Sequence, residues 1–357
     1  MTALTELADR VRAADADRRP LRLRGGGTKD FYGQSLDGEV LDTRAYSGIV
    51  SYEPTELVVT ARCGTSLAEL QAALAQKRQT LAFEPPGFGE AATVGGMLAA
   101  GLSGPRRASA GALRDYVLGA VLMDATGRTL RFGGQVMKNV AGYDVSRLLA
   151  GSLGILGPVV EVSLKVLPEP AAHATLSMTV NESDALRLLN EWAGQPLPIS
   201  ASAWHSSALR LRFSGARAAV EAAVARFVAV YAATEVAPEA ARTYWSGLRE
   251  QTDEFFSGGE PLWRLSVPSV AAPFAFPGRQ LIEWGGAQRW LKSTADAAVI
   301  RDAAHRAGGS ATLFRAADKS AGAFQPLAPA LLEVHRRIKR ELDPNGIFNP
   351  GRMYAGL

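Results

Sequence analysis

Three features of the sequence predict an α+β fold in two parts. The first half is dense in glycine and in short β-branched runs. After residue 170 a β, α, β, β, α order appears and then recurs, and the chain closes on one amphipathic helix. Two such rounds favour an antiparallel sheet backed by helices. A length of 357 residues fits two domains at ~100 to 200 residues each. The "PEP" at Pro168–Pro170 marks a boundary, because the glycine-dense character ends there. The expected division is 1–170, 171–322 and 323–357.

Taken in order, Leu4, Leu7, Ala8 and Val11 recur at helical spacing among charges, which predicts a surface helix and lacks the apolar core of a signal peptide. "LRLR" reads as a strand running into Gly25, Gly26 and Gly27. "GEVLDT", "GIVSYEP" and "ELVVTARC" read as strands between turn residues. "SLAELQAALAQKR" reads as a helix, with Ser66 and Glu69 as a capping box and Leu67, Leu70 and Leu74 as its buried stripe. From Glu84 to Arg107 glycines are too dense for a long helix, at about 1 kcal/mol for each interior glycine. Strands return in "YVLGAVLMDATG", "TLRFGG" and "PVVEVSLKVLP".

Beyond the boundary come "TLSMTV", the helical "ESDALRLLNEWA", the strands "ISASAWHS" and "ALRLRFSG", and the helix "ARAAVEAAVARFVAVYAA". The second round is "LWRLSVP", "RQLIEWGG", "RWLKS", "AVIRDAAHRAG" and "SATLFRA". The closing helix "ALLEVHRRIKREL" places Leu331, Val334, His335, Ile338 and Leu342 on one face, with His335 read as a core histidine. It ends at the turn "DPNG".

Composition excludes several classes of function. Apolar content of 47% and charged content of 21% suit a soluble globular protein. The net charge of +4 comes without a basic run or interleaved aromatics, which argues against nucleic-acid binding. Cys63 is the only cysteine, so this chain can form no internal disulfide and no thiolate-held cluster, and a reducing compartment fits. The uncharged run Trp192 to Leu209 holds two prolines, four serines and a histidine, so no membrane helix is expected there.

The glycine loops carry the functional signal. Successive amides at Gly25–Gly27 can converge into an anion nest beside Thr28 and Lys29, or form a plain turn. The loop from Glu84 to Arg107 is apolar enough to wrap a bulky ligand by its backbone. Arg106 and Arg107 would then offset negative charge on that ligand. His173, His205, His305 and His335 are scattered, without metal-ligand spacing, so no metal site is expected. Arg210 and Arg212, near His205, either clamp a carboxylate or lie on the solvated face that the alternation in "ALRLRF" suggests. Lys138, Asn139, Tyr143 and Asp144 form a polar cluster, in which Asp144 also suits a helix start. No residue is assigned a catalytic role.

The ordered set "RGGGT", "PP" with "TVGG" and "GLSGPRR", "RDYVLG", "KNVAGYDVSRLLAGSLGILG" and "DPNGIFNPG" resembles the E-type FAD-binding subunits of glycolate oxidases, within the vanillyl-alcohol oxidase-like (PCMH-type) flavoproteins. The resemblance implies a two-subdomain FAD-binding domain, an α+β cap with an antiparallel sheet, and a C-terminal return to the FAD domain. It maps the FAD pyrophosphate onto Gly25, Gly26, Gly27 and Thr28, with countercharge from Arg24 and Lys29. Pro86, Gly87, Thr93, Gly95, Gly96, Gly101, Ser103 and Gly104 are implied to line the rest of the cofactor. Gly154 and Ile155 would touch it by backbone, and Asn349 would approach its ring. Thr28 stands where many relatives carry a flavin-bonded histidine, and Cys63 falls in a strand as a structural thiol, so FAD is expected to be noncovalent.

The same resemblance implies glycolate, or a similar small 2-hydroxy acid, as substrate and glyoxylate as product. It implies two partners, the catalytic D-type flavoprotein and the iron–sulfur subunit of glycolate oxidases. The expected compartment is the cytoplasm, with the complex peripheral on the inner face of the membrane. Two other functions stay open: a FAD-binding assembly or electron-relay protein without substrate chemistry, and a stand-alone FAD-dependent alcohol oxidase.

Overall fold

The computed structural model describes residues 2–134 and 144–357, which divide into two units. The first is Met1–Leu102, Ala112–Pro168 and Pro326–Leu357; the second is Ser103–Gly111 and Glu169–Gln325. Helix α1 (Ala3–Ala16) starts where the Thr2 hydroxyl accepts the Thr5 amide, and it buries Leu7, Ala8, Val11 and Ala14. Strand β1 (Leu21–Arg24) pairs in parallel with β2 (Glu39–Asp42). There follow β3 (Ile49–Glu53), β4 (Val58–Arg62), α2 (Leu67–Ala75), β5 (Gln79–Thr80) and α3 (Val94–Ala100). The short α4 (Arg107–Ala110) lies in the stretch that joins the second unit. Next come β6 (Val117–Met123), β7 (Thr129–Gly133), α5 (Val145–Leu148), β8 (Val159–Lys165) and β9 (Leu167–Pro168).

Among the described residues, the first unit is built on a five-stranded antiparallel sheet ordered β3-β4-β8-β6-β7. On its middle strands Val59, Ala61, Val162, Leu164, Leu122 and Met123 are all buried, and the buried hydroxyls of Thr60 and Ser163 pair at 2.8 Å. Ser66 caps α2 by accepting the Glu69 amide at 3.0 Å, and Leu67, Leu70 and Leu74 are its buried stripe.

The second unit holds β10 (Ala172–Thr179), α6 (Glu182–Ala193), β11 (Ile199–His205), β12 (Ala208–Gly215), α7 (Arg217–Tyr231), β13 (Thr234–Glu235) and α8 (Pro238–Glu250). It continues with β14 (Leu262–Ser266), β15 (Arg279–Glu283), β16 (Gln288–Lys292), α9 (Ala297–Arg306) and β17 (Ser310–Arg315). An eight-stranded antiparallel sheet runs β13-β10-β12-β11-β15-β16-β14-β17. Leu209, Leu211 and Phe213 alternate inward on β12 and pack with Leu176, Leu189, Trp192 and Phe227. A second cluster joins Trp263, Leu265, Leu291, Ile300 and Leu313. The last helix, α10 (Pro329–Leu342), belongs to the first unit. No helix among the described residues is long and apolar enough to cross a membrane.

Several sequence expectations are corrected. The glycine-dense stretch after Glu84 holds no long helix, in line with the expectation, but it does hold the seven-residue α3, capped by Thr93, whose hydroxyl accepts the Gly96 amide at 3.1 Å. Ser103–Gly111 joins the second unit, where the Ser109 hydroxyl donates to Ser200 O at 2.9 Å and Trp284 Nε1 donates to Gly104 O at 3.0 Å. Helix α8 is additional to the elements that the sequence predicts, although Ala241, Trp245 and Leu248 sit on its buried face.

On α10 the expected apolar stripe is split: Leu331 and Val334 are 47% and 50% exposed, Ile338 and Leu342 are half-buried against the cluster of Leu122, Leu149 and Ile155, and the buried residue is Lys339. His335 is half-buried there, with Nδ1 2.8 Å from Leu331 O, and is not a core residue. Arg210 and Arg212 do not lie on a solvated face. Both are half-buried, stacked on the rings of Tyr244 at 4.3 Å and Trp245 at 5.2 Å.

Candidate functional site

The C-terminal segment returns beside β1. Leu21 N donates to Ile347 O at 2.7 Å and Asn349 N donates to Leu21 O at 2.9 Å, making a parallel bridge between Leu21 and Phe348. The Asn349 side chain continues this pairing: its Oδ1 accepts Leu23 N at 2.8 Å and its Nδ2 donates to Leu153 O at 2.6 Å. A buried ion pair anchors the segment from behind. Lys339 Nζ lies 2.6 Å from Asp343 Oδ2 and donates to Ile155 O and Phe348 O, while Asp343 accepts the amides of Ile347 and Phe348. Burial lowers the Lys339 pKa, and Asp343 opposes that shift.

One groove of two lobes lies in this first unit. One lobe is walled by Leu23, Thr43, Gly95, Gly96, Ala99, the 152–154 turn, Val159 and Asn349. The other is walled by Leu23 to Asp30, Leu36, Gly96, Ala99, Leu153, Asn349 and Arg352. Their shared walls, Leu23 to Gly25, Gly96, Ala99, Leu153 and Asn349, make them continuous.

The three glycines after β1 have a local cause. A Cβ on Gly26 would fall 1.5 Å from Ala91 O, and Gly27 adopts φ +72°. The β1 end can therefore press against the 91–93 segment. Among the described residues, the amides of Gly25, Gly26, Gly27 and Thr28 donate to no protein acceptor. Four such donors at the rim of a groove fit an anionic group held by backbone N–H, which is the test this structure offers for a phosphate-bearing ligand.

Basic side chains surround that rim. Asp30 Oδ2 accepts from Arg24 Nε at 3.0 Å and also pairs with Arg22. Lys29 Nζ donates to Gly87 O at 3.0 Å and lies 5.5 Å from the Phe88 ring centroid. Arg352 Nη2 donates to Asp30 O at 2.9 Å, and burial brings its pKa down to about 10, with Asp30 opposing.

Arg24, Gly25, Gly26, Gly27, Thr28, Lys29, Gly95, Gly96, Gly154 and Asn349 thus meet at one groove. Pro86, Gly87, Thr93, Gly101 and Ile155 are not among its walls: Pro86 is buried, Thr93 backs Gly25, Gly101 lies against Gly151, Gly87 O accepts the Lys29 ammonium, and Ile155 O accepts Lys339. Ser103 and Gly104 belong to the second unit, as do Arg106 and Arg107; Arg107 lies 4.6 Å from the Trp284 ring centroid. Residues that sequence reasoning missed include Leu23, Asp30, Thr43, Ala99, Leu153 and Arg352. Only Arg352 carried a signal, since it follows the "NPG" that pointed to Asn349.

The remaining candidates resolve locally. Asp144 caps α5 by accepting Arg147 N at 3.2 Å, whereas Lys138, Asn139 and Tyr143 lie outside the described residues. His173 Nδ1 meets the Ser214 hydroxyl at 2.8 Å, and the half-buried His205 ring packs edge-on against Phe255, with burial lowering its pKa. Cys63 is buried, and its thiol pKa is pushed far up by desolvation. Among the described residues no group of three or more His, Cys, Asp or Glu could share a metal ion.

Comparison with known proteins gives the context. Residues 2–133 match the family model "FAD binding domain", and residues 318–353 match "FAD linked oxidases, C-terminal domain". The chain is 48% identical to glycolate oxidase subunit GlcE of Escherichia coli K12, over 98% of this chain and 97% of that one. It is 33% identical to glycolate oxidase subunit GlcD of Bacillus subtilis, over 47% of this chain and 36% of that one. A solved p-cresol methylhydroxylase with substrate bound shares the fold, with a TM-score of 0.72 at 14% identity, covering 99% of this chain and 87% of that one.

Proposed function

This chain belongs to the FAD-linked oxidases, in the group of the glycolate oxidase GlcE proteins, and from that premise we propose that it is the FAD-binding subunit of a complex oxidising glycolate to glyoxylate. When bound, FAD supplies a two-electron acceptor for the hydride that leaves the hydroxyl-bearing carbon. The chain's own residues supply the hold. One observation carries this reading: the acceptor-less amides of Gly25 to Thr28 at the rim of a two-lobed groove. They would take the diphosphate, with Arg24 and Arg352 as countercharge, while Leu23, Ala99 and Leu153 would pack the less polar parts.

The cofactor would be held without a covalent bond. The residue after the glycines is Thr28, and the buried Cys63 thiol stays protonated and unreactive. Electrons would leave to another chain, because a single cysteine cannot ligate an iron–sulfur cluster. The proposed partners are a D-type flavoprotein and an iron–sulfur protein, in a cytoplasmic complex on the inner face of the membrane.

The test is to purify the chain alone and coexpressed with those two partners, then follow glycolate-dependent dye reduction and glyoxylate formation. The proposal expects turnover only in the assembled complex. Full activity, with peroxide release, from the isolated chain would instead mark a stand-alone oxidase.

A further inference from the structure

Arg352 is only 5% exposed, yet among the described residues its guanidinium donates to backbone carbonyls and to no carboxylate. Nη1 donates to Gln34 O, and Nη2 donates to Asp30 O at 2.9 Å and Lys29 O at 3.4 Å. A buried cation without a paired carboxylate is a poor source of stability, since an apolar side chain of similar volume would avoid its desolvation cost. Its placement calls for another explanation.

The loop from Gly25 to Gln34 wraps around this side chain. Gln34 N donates back to Arg352 O at 2.9 Å, and Tyr32 N donates to Lys29 O at 3.0 Å. Gly33, at φ +90°, lies so close that an added Cβ would sit 2.9 Å from Arg352 O. Three loop carbonyls therefore converge on one buried guanidinium. The residues just before them, Gly25 to Thr28, keep amides that meet no protein acceptor and border the lobe that Arg352 also walls.

We propose that Arg352 is a positioning residue for the glycine nest: by gathering the carbonyls of Lys29, Asp30 and Gln34, it holds the amides of Gly25 to Thr28 toward the groove where the FAD diphosphate would lie. The C-terminal segment thereby sets the cofactor affinity of a loop 318 residues earlier in the chain. This rests on the reading that the groove holds FAD. A planar fork is required, because one group must serve three carbonyls in different directions, and a lysine ammonium has no such fixed geometry. Arg22 and Arg24, both paired with Asp30, hold the other side of the loop.

The test uses the full-length chain freed of flavin. FAD and, separately, riboflavin, which has the ring system but no diphosphate, are titrated into the wild type, Arg352→Met and Arg352→Lys. Hydrogen exchange of the flavin-free proteins is read at Tyr32 and Gln34. The expected result is that Arg352→Met weakens FAD binding by about tenfold or more, while the effect on riboflavin stays within about threefold. Arg352→Lys should restore little, and exchange at Tyr32 and Gln34 should quicken in both variants.

Unchanged FAD affinity in Arg352→Met, or an equal loss for FAD and riboflavin, would overturn the proposal, because neither points to the nest. If Arg352→Met fails to fold, Arg352→Lys carries the same comparison, since it keeps the charge and most of the volume. A wild type that takes up no FAD would overturn the cofactor reading and this proposal together. FAD uptake by the wild type with unaltered variants would overturn this proposal alone.

Discussion

At Gly26 a methyl group would overlap the carbonyl oxygen of Ala91, and Gly25 is also too tight for a side chain, with its ideal Cβ 2.2 Å from Thr93 Oγ1. The glycine run is thus required by protein packing as well as by any ligand, because the loop lies directly against the 91–93 segment. Gly26→Ala should destabilise the first unit by about 1–3 kcal/mol, as overpacking does, and should weaken FAD binding further by displacing the nest. A denaturation midpoint and a flavin titration on the same sample measure both effects. A neutral result would mean that the loop yields easily and that its shape does not matter. Residue chemistry alone pointed to this loop as either a nest or a turn, and only the family resemblance tied it to a cofactor. Arg352 escaped both routes, because its partners are carbonyls distant in sequence.

Among the elements, local signals were the legible ones. Ser66 capping α2 and the alternation that buries Leu209, Leu211 and Phe213 depend on neighbours within a few residues. On α10 the periodicity found Ile338 and Leu342, which pack inward, but it missed the buried Lys339–Asp343 pair, which apolar spacing does not count. Helix α8 was legible in principle, since Pro238 opens it and Ala241, Trp245 and Leu248 recur on one face at helical spacing.

The β6–β7 hairpin gives a prediction at this scale. Asp124 accepts the amides of Thr126 and Arg128 at 2.9 and 3.0 Å, the Thr126 hydroxyl at 2.6 Å and the Arg128 guanidinium. Burial alone would raise its pKa, but these bonds outweigh burial and hold it below the ordinary carboxylate value. The folded pKa is then the lower one, so the stabilisation is complete above the unfolded value of about 4 and is lost as pH falls through the folded value. Asp124→Asn should be less stable than the wild type at neutral pH, and the gap should narrow steadily below about pH 4. Denaturation curves across that range decide it, and a gap independent of pH would remove the carboxylate from the explanation.

For the whole molecule, the two-part α+β organisation was readable from the switch in pattern near Pro168, since glycine density and strand–helix alternation are properties of long windows. The membership of Ser103–Gly111 in the second unit was not, because it depends on the contacts of Ser109 with Ser200 and of Gly104 with Trp284. The groove in the first unit draws on β1, α3, the 152–154 turn and the C-terminal return, four segments that only the folded chain brings together. Retention of FAD in this groove by amides and charge alone is tested most directly by acid precipitation of the purified yellow protein, with flavin measured in the supernatant and in the pellet. Close to one FAD per chain, all of it in the supernatant, is the expected result; a chain without flavin, or flavin retained in the pellet, would contradict it.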